Sequence, residues 1–225
     1  MNSPKACVVG FVAVFYFSTA PALAALYDRG DGLIFDDDLN ITWLSNANYG
    51  AGSAFDDGTS PTDGLMTWQS AMDWAASLVY HDGIRNVTYD DWRLPTSDFC
   101  YSYAGCTDSE MGHLYYLELG GVAYVELATT HNGNYGLFQN IQNPLNAGHW
   151  SSTEYSHSPS QQTAWGFDMD NGIQSVQGVT TLGGVGYLYA WAVRDGDVTA
   201  VPEASTYLMF LVGLGMLGLA AGGRN

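Results

Sequence analysis

The sequence predicts an α+β domain dominated by antiparallel strands, and three observations indicate that fold class. Residues 164–176 alternate apolar and polar side chains around Asn171-Gly172, the residue pair most typical of a tight hairpin turn. Residues 188–193 are apolar on both faces, as expected of a central strand that is covered on both sides. Two upstream segments carry apolar side chains at helical spacing.

The first predicted element is a β-hairpin near the start of the domain. Residues 33–35 and 41–44 are short β-type runs, and Asp36, Asp37 and Asp38 lie between them. Three adjacent carboxylates on a turn repel one another unless water or a cation screens them. Solvation is the commoner explanation, and calcium, which takes oxygen ligands from such turns, is the alternative.

Residues 67–80 predict the first helix. Thr67 is a good N-cap, and Gly83 follows as a stop signal. The apolar residues expected on the buried face are Trp68, Ala71, Met72, Ala75, Leu78 and Val79. A short strand is predicted at residues 92–94, because Pro95 forces the residue before it into an extended conformation. We expect Arg93, one of few cations in the chain, to form a partly buried ion pair.

Residues 109–119 predict the second helix, with Asp108 or Ser109 as its cap. His113 on this helix is a candidate metal ligand or catalytic residue. A lone histidine on a packed helix is more often a hydrogen-bonded structural residue, and we favour that interpretation.

Along the late hairpin, side chains should alternate between the two faces of the sheet. Trp165, Phe167 and Met169 are expected on one face, and Asp168 and Asp170 on the other. The two carboxylates are either solvent-facing residues of the hairpin, which we favour, or oxygen ligands for calcium.

Composition limits the classes of partner. The chain has 23 acidic and 6 basic residues, a formal net charge of -17. Such a chain does not bind nucleic acid by neutralising phosphates. Aromatic residues make up 14% of the chain, which suits stacking against sugars or a partner protein, although most Trp and Tyr side chains belong to a core or a half-buried sheet.

Both ends read as processing segments. Residues 1–24 have the order of a secretory signal peptide, so the protein is exported and Cys7 is removed with the signal. Residues 201–225 resemble the PEP-CTERM sorting signal of Gram-negative bacteria, with Pro202 and Glu203 as the motif and a short apolar run at 207–221. That resemblance implies processing by an exosortase-type enzyme, transient inner-membrane anchoring, and delivery to the cell surface or matrix. A plain C-terminal membrane anchor is the alternative.

Cys100 and Cys106 are the cysteines that remain after signal removal. In an exported chain this spacing predicts a local disulfide. Two free thiols are the alternative, but they are typical of cytoplasmic rather than exported proteins. A zinc site would need more soft ligands than are clustered here.

Several phrases of the chain, taken together, resemble the C-terminal domain of the Legionella collagen-like adhesin over residues 25–200. The two most specific are Trp92-Arg93-Leu94-Pro95-Thr96 and Trp150-Ser151-Ser152-Thr153-Glu154. The resemblance implies a C-type lectin-like fold: a twisted antiparallel sheet with two flanking helices and long loops. The Glu-Pro-Asn calcium motif of lectins is absent from the sequence.

The sequence therefore predicts an exported, non-catalytic surface or matrix protein that binds a glycan or a protein, linked to extracellular polysaccharide and biofilm. The candidate ligand residues are Trp150, Ser152, Glu154, Asp168, Asp170 and Asn171, with Asp168 and Asp170 as the candidate calcium ligands. One alternative is a purely structural matrix component. Another is an enzyme similar to the formylglycine-generating proteins, which use a reactive cysteine pair.

Overall fold

The computed structural model describes residues 25–100, 103–141, 147–155, 162–179 and 186–198. The predicted signal peptide and the sorting tail, with Pro202, Glu203 and the apolar run 207–221, lie outside the described residues. Among the described helices, none combines the length and the apolar composition that crossing a bilayer requires.

Strands dominate the domain, as the alternating patterns predict. In chain order they are β1 (Leu26–Asp28), β2 (Leu33–Asp36), β3 (Ile41–Leu44), β4 (Leu65–Met66), β5 (Tyr80–Asp82), β6 (Val87–Tyr89), β7 (His149–Glu154), β8 (Thr163–Asp168), β9 (Ile173–Gly178), β10 (Leu188–Tyr189) and β11 (Val193–Asp195). They form a four-stranded sheet in the order β1-β2-β3-β11, a five-stranded sheet in the order β4-β10-β7-β8-β9, and the small hairpin β5-β6.

Both predicted hairpins are present. β2 pairs with β3 so that Asp36 lies opposite Ile41, and β8 pairs with β9 so that Asp168 lies opposite Ile173. The prediction of a single twisted antiparallel sheet was wrong in two respects. The strands divide between two main sheets, and β10 runs parallel to β7. The fold is thus a sheet-rich α+β arrangement.

The predicted central strand at 188–193 was also wrong. Its first part is β10 of the five-stranded sheet, and its last residue opens β11 of the four-stranded sheet. The chain crosses between the sheets at residues 190–192, where Ala190 and Trp191 are packed in different core clusters. An apolar run on both faces therefore marks a crossover between two cores rather than one covered strand.

The helices are short and few. They are α1 (Trp68–Ser77), α2 (Glu110–His113), a π-helical turn (Leu114–Glu118) that continues α2, α3 (Leu127–Thr130) and a 3-10 turn (Gly133–Leu137). Thr67 caps α1 and Ser109 caps α2, as predicted, each accepting a backbone N–H three residues ahead.

Helix α1 ends earlier than predicted. Leu78 is extended, Val79 is 64% exposed and Tyr80 begins β5, so Gly83 is not the stop signal. The pairing of Tyr80 with Tyr89 outweighs the helical spacing of the last apolar residues. Residues 92–94 form an isolated bridge from Arg93 to Val193 rather than a strand.

Two core clusters fill the domain. The largest fully buried members of the first are Trp150, Met66, Leu33, Leu44 and Leu94. Those of the second are Trp43, Trp191, Tyr115, Phe167, Ile34, Met111 and Leu114. β2 and β8 contribute to both, because alternate side chains of a strand point to opposite faces. Arg93 forms the predicted ion pairs, at 2.7 Å with Glu110 and 2.6 Å with Asp195.

Candidate functional site

A groove of about 300 Å³ opens on the five-stranded sheet, beside the β8–β9 hairpin. Its lining residues are Ala147, Gly148, Gly166, Phe167, Asp168, Ile173, Ser175, Gln177, Gly186, Tyr187 and Leu188. The groove is therefore built from β8, β9, the first residue of β10 and the segments that lead into β7 and β10. Its wall is mixed in character, with apolar strand residues and a few polar side chains.

Two glycine residues, which have no side chain, shape the groove. A Cβ atom on Gly166 would lie 2.5 Å from Cδ1 of Leu188, and one on Gly148 would lie 2.5 Å from the Phe167 carbonyl oxygen. Both contacts are closer than atoms can approach without movement of the neighbour, and the second neighbour is backbone. Glycine at these two positions keeps strands close and leaves a concave surface, which a flat sheet lined by ordinary side chains would not have.

The polar groups of the groove are held by local hydrogen bonds. Asp168 Oδ1 accepts the Asp170 backbone N–H at 2.9 Å, and Gln177 Nε2 donates to Ser175 Oγ at 3.2 Å. Tyr187 lies at the rim with 38% of its surface exposed. The groove thus offers carboxylate, hydroxyl, amide and phenol groups, the set that hydrogen-bonds to sugar hydroxyls.

The two hairpin carboxylates influence each other. Burial raises the pKa of Asp170, and the neighbouring charges of Asp168 and Glu126 raise it further. Within the described part of the chain, neither hairpin carboxylate takes part in an ion pair. Asn171 is used by the turn, since its Oδ1 accepts the Ile173 N–H at 3.1 Å.

The predicted ligand residues on β7 do not join this groove. Trp150 was proposed as a ligand contact, but its side chain is fully buried and Nε1 donates to the Met66 carbonyl at 2.8 Å. Ser152 donates to the Pro95 carbonyl at 3.3 Å. Glu154 is exposed and pairs with Ala164, so it lies roughly 13 Å along β8 from Asp168. The structure therefore separates the six predicted residues into a core residue and two ends of one strand pair.

An aromatic group near Glu154 was missed by the sequence reasoning. Phe99, which is 52% exposed, stacks on Tyr155 with ring centroids 6.2 Å apart, and both rings contact Trp165. Phe99 stands next to the disulfide of Cys100 with Cys106, whose Cα atoms are 5.8 Å apart, so the predicted bond is present. No periodic signal marks Phe99, because it lies in a loop.

A second set of polar side chains is buried away from solvent. We call Asp36, His113 and Glu118 the acid–histidine cluster; one ligating atom from each lies within 4.8 Å of those from the other two. Asp36 ends β2, His113 ends α2 and Glu118 ends the π-helical turn. Asp36 is 0% exposed and Glu118 is 1% exposed. His113 was predicted to be a hydrogen-bonded structural residue, yet its Nε2 makes no hydrogen bond to any described residue.

Charge in this cluster favours a positive partner. The neighbouring Glu118 carboxylate is the main cause of a raised His113 pKa, burial opposes it, and Asp36 and Asp38 add to it. Burial raises the pKa of Asp36, while the Leu39 N–H that donates to Oδ1 lowers it. The sequence reasoning considered the Asp36 turn and His113 one at a time, and nothing in their spacing indicated that the fold brings them together.

The fold and the site define a class: a sheet-rich α+β protein with a disulfide and a polar groove. The end of the chain identifies its sorting more closely, because residues 200–224 match the PEP-CTERM protein-sorting motif. The predicted motif with Pro202 and Glu203 is thereby confirmed, and the protein is an exported one that an exosortase sorts at the membrane. No curated protein and no solved structure matches the chain. The resemblance of the domain to the Legionella adhesin and to C-type lectins stays a prediction.

Proposed function

We propose that this protein is a non-catalytic component of the cell surface or extracellular matrix, whose domain binds an extracellular glycan in the groove on the five-stranded sheet. The observation that carries the proposal is the groove itself, with Asp168, Ser175, Gln177 and Tyr187 around a floor of glycines. Sugars are bound by such a combination of hydrogen-bonding side chains and an aromatic ring. A protein partner is the alternative occupant.

Export and sorting support the location. The PEP-CTERM motif brings the protein to the membrane for exosortase processing, and release from there would place the domain among extracellular polysaccharides. The resemblance to the Legionella adhesin domain and the lectin-like fold that it implies support the same role. The net charge of -17 argues for a neutral or cationic glycan rather than a sulfated one.

The disulfide supports the non-catalytic part of the proposal. Formylglycine-type chemistry uses a reactive cysteine pair, whereas Cys100 and Cys106 are bonded to each other in a short loop. Ala104 within this loop bridges to Ile173 of β9, so the bond stabilises the hairpin that borders the groove.

The test is binding of the exported protein, with its disulfide formed, to a glycan array that includes exopolysaccharide of the producing organism. Ser175→Trp should fill the groove and lower the affinity at least about tenfold. Ala76→Trp adds the same ring on the exposed face of α1 and should leave binding unchanged. The array is run with calcium and with chelator, so that a calcium ion at Asp168 and Asp170 is tested together with the glycan.

Three outcomes separate the alternatives. Loss of binding with Ser175→Trp alone supports the groove, and dependence on calcium adds the hairpin carboxylates to the site. Equal binding by both variants would move the site elsewhere, with Phe99 and Tyr155 as the next surface to mutate. Absence of binding to any glycan would favour the purely structural matrix component.

A further inference from the structure

We propose that the acid–histidine cluster of Asp36, His113 and Glu118 is a binding site for a divalent transition-metal ion, with Zn²⁺ as the best fit. The site is separate from the residues that line the groove, and it does not depend on the glycan-binding proposal. Three features of the structure carry the inference: unpartnered buried oxygens, ligand spacing, and a backbone irregularity that aims the side chains.

The cluster contains polar atoms that the protein itself leaves without partners. Asp36 Oδ2, His113 Nε2 and both carboxylate oxygens of Glu118 are buried and make no hydrogen bond to any described residue. A buried carboxylate without compensation is strongly unfavourable, so folded proteins pair it or bind a metal with it. The Glu118 side chain is 0% exposed, so bulk water does not solvate its carboxylate.

The spacing of these atoms fits ligands of one ion better than an ion pair. His113 Nε2 lies 3.6 Å from Glu118 Oε1, too far for a hydrogen bond. Two atoms bound tetrahedrally to one zinc ion at the usual 2.0–2.2 Å lie about 3.4 Å apart. Asp38 Oδ2 lies 3.7 Å from the same His113 nitrogen, and its side chain is 45% exposed. Asp38 therefore lies on the surface side of the cluster, next to His113, while the three ligating side chains that lie mutually close are Asp36, His113 and Glu118.

The π-helical turn explains why His113 and Glu118 face the same way. Residues five apart in a regular α-helix are separated by about 140° around the axis, and the wider π-helical turn, with more residues per turn, makes that angle smaller. Here the Leu119 N–H bonds to the Leu114 carbonyl, five residues earlier. The Glu118 carbonyl is held by Asn132 Nδ2 at 2.8 Å and Asn134 Nδ2 at 3.0 Å. Such turns are frequent at functional sites.

Asp36 is oriented in the way that metal-binding carboxylates are. Its Oδ1 accepts the Leu39 N–H at 3.1 Å, and this bond leaves Oδ2 buried without a hydrogen-bond partner among the described residues. Outer hydrogen bonds of this kind fix the ligating side chains of metal sites. β2 and β3 supply the rigid support, since Asp36 is in register with Ile41.

The donor set selects the class of ion. One imidazole with two or three carboxylates suits zinc and similar first-row metals, whereas calcium takes oxygen ligands only. A site of this kind is distinct from the calcium site predicted at Asp168 and Asp170. The competing occupant is a proton on His113 balanced by the two carboxylates, without a metal.

The experiment is calorimetric titration of the exported protein, free of any histidine tag and stripped with chelator, with Zn²⁺, Mn²⁺ and Ca²⁺ in turn. We expect one saturable Zn²⁺ site per chain, weaker Mn²⁺ binding and no Ca²⁺ binding there. His113→Gln and Glu118→Gln should each lower the Zn²⁺ affinity at least about tenfold, since losing even an outer hydrogen-bond partner of a ligand lowers metal affinity by about 10–100-fold. The matched controls His131→Gln and Glu126→Gln change exposed residues and should bind as the wild type does.

A second measurement keeps the proposal testable if a variant fails to fold. X-ray absorption of the zinc-loaded wild-type protein should show one imidazole and only oxygen ligands besides it, at about 2.0–2.2 Å. Absence of a saturable Zn²⁺ site, equal affinity of His113→Gln and His131→Gln, or several imidazoles at the ion would overturn the proposal. The glycan array with Ser175→Trp has an independent readout, so either idea can fail alone.

Discussion

The β8–β9 hairpin beside the groove and the acid–histidine cluster both contain pairs of carboxylates, but the surroundings of the two pairs differ. In the hairpin, Asp168 lines the groove and accepts the backbone N–H of Asp170, and burial raises the pKa of Asp170, which lies outside the groove lining. In the cluster, both oxygens of Glu118 are buried and have no hydrogen-bond partner among the described residues. The comparison teaches that carboxylates close in sequence indicate a turn, whereas unsatisfied carboxylates brought together by the fold indicate a ligand.

The largest expected effect separates residues of the core from residues that could touch a ligand. Trp150→Ala should lower the free energy of unfolding by about 3–5 kcal/mol, because a fully buried ring and its bond to the Met66 carbonyl are lost. Chemical denaturation of both proteins measures this difference.

Tyr187→Ala is the matched change at the rim, where the ring is 38% exposed. It should weaken glycan binding and leave the unfolding free energy within about 1 kcal/mol of the wild type. A Trp150→Ala protein with the unfolding free energy of the wild type but without glycan binding would support the original prediction that Trp150 contacts the ligand.

The next effect is the pH dependence of the unfolding free energy, which tests whether the five-stranded sheet tolerates a positive charge on the buried His149. Burial lowers the pKa of His149 to about 4, with a smaller opposing effect from the Ala47 backbone, and its ring packs against Tyr189 and Trp191. The folded state holds the neutral ring, so its stabilisation is present above the unfolded pKa of about 6.5 and is lost as the pH falls toward 4. The loss should reach about 3 kcal/mol.

His149→Phe should flatten this part of the pH profile, because the phenyl ring is apolar, similar in size to the imidazole and does not titrate. Subtracting the two profiles removes the titration of the carboxylates, which both proteins share. An exposed histidine changed in the same way, His131→Phe, should keep the wild-type slope. A His149→Phe profile parallel to the wild type between pH 6.5 and 4 would show that His149 does not carry the effect.

A third and smaller effect tests the link between the two regions. The Tyr116 hydroxyl accepts the Gly105 N–H at 2.9 Å and donates to the Gly172 carbonyl at 2.6 Å, so it joins the disulfide loop, the π-helical turn and the β8–β9 turn. Cys100→Ser with Cys106→Ser should lower the unfolding free energy by about 2 kcal/mol, as expected for a short loop. Reductant should lower the unfolding free energy of the wild type by a similar amount and leave that of the double variant unchanged. Equal unfolding free energies of the oxidised wild type and the double variant would mean that the disulfide does not stabilise the fold.

The smallest effect sharpens the comparison directly. Asp168→Asn keeps an oxygen for the Asp170 N–H and should change the unfolding free energy by less than about 1 kcal/mol. Because the Asp168 charge raises the pKa of Asp170, that pKa should fall toward its ordinary value, which an NMR titration measures. The Zn²⁺ affinity should stay unchanged, in contrast to Glu118→Gln. A loss of zinc binding would place the ion at the hairpin instead.

Local signals predicted the local structure well. The β8–β9 turn lies where Asn171-Gly172 predicted it, but it spans residues 169–172, and of this pair only Gly172 has a positive φ, 75°, so the tight two-residue form was wrong. Thr67 and Ser109 cap helices through bonds to residues three positions ahead, as predicted. Such features need no knowledge of the rest of the fold. The same reasoning extended α1 too far, because the pairing of Tyr80 with Tyr89 of the next strand decided where the helix ends.

Features that depend on distant parts of the chain could not be predicted. Residues 188–193 are apolar on both faces whether they form one covered strand or cross between two cores, so the pattern cannot distinguish the two. The π-helical turn has no composition of its own, and Asp36 meets Glu118 only through it. The groove depends on the absence of side chains at Gly148 and Gly166. In a sequence, a glycine in or next to a strand indicates only a weak strand and does not predict a groove.

The order of strands in the four-stranded sheet has a consequence for the timing of folding during secretion. β11 pairs with β3, so nearly the whole domain separates two neighbouring strands, and contacts of such long sequence separation form slowly. That sheet cannot be completed until residue 195 has emerged from the export channel, only a few residues before the sorting motif begins. In a chain that crosses the membrane from its N-terminus, completion of the domain therefore comes only shortly before the sorting motif arrives.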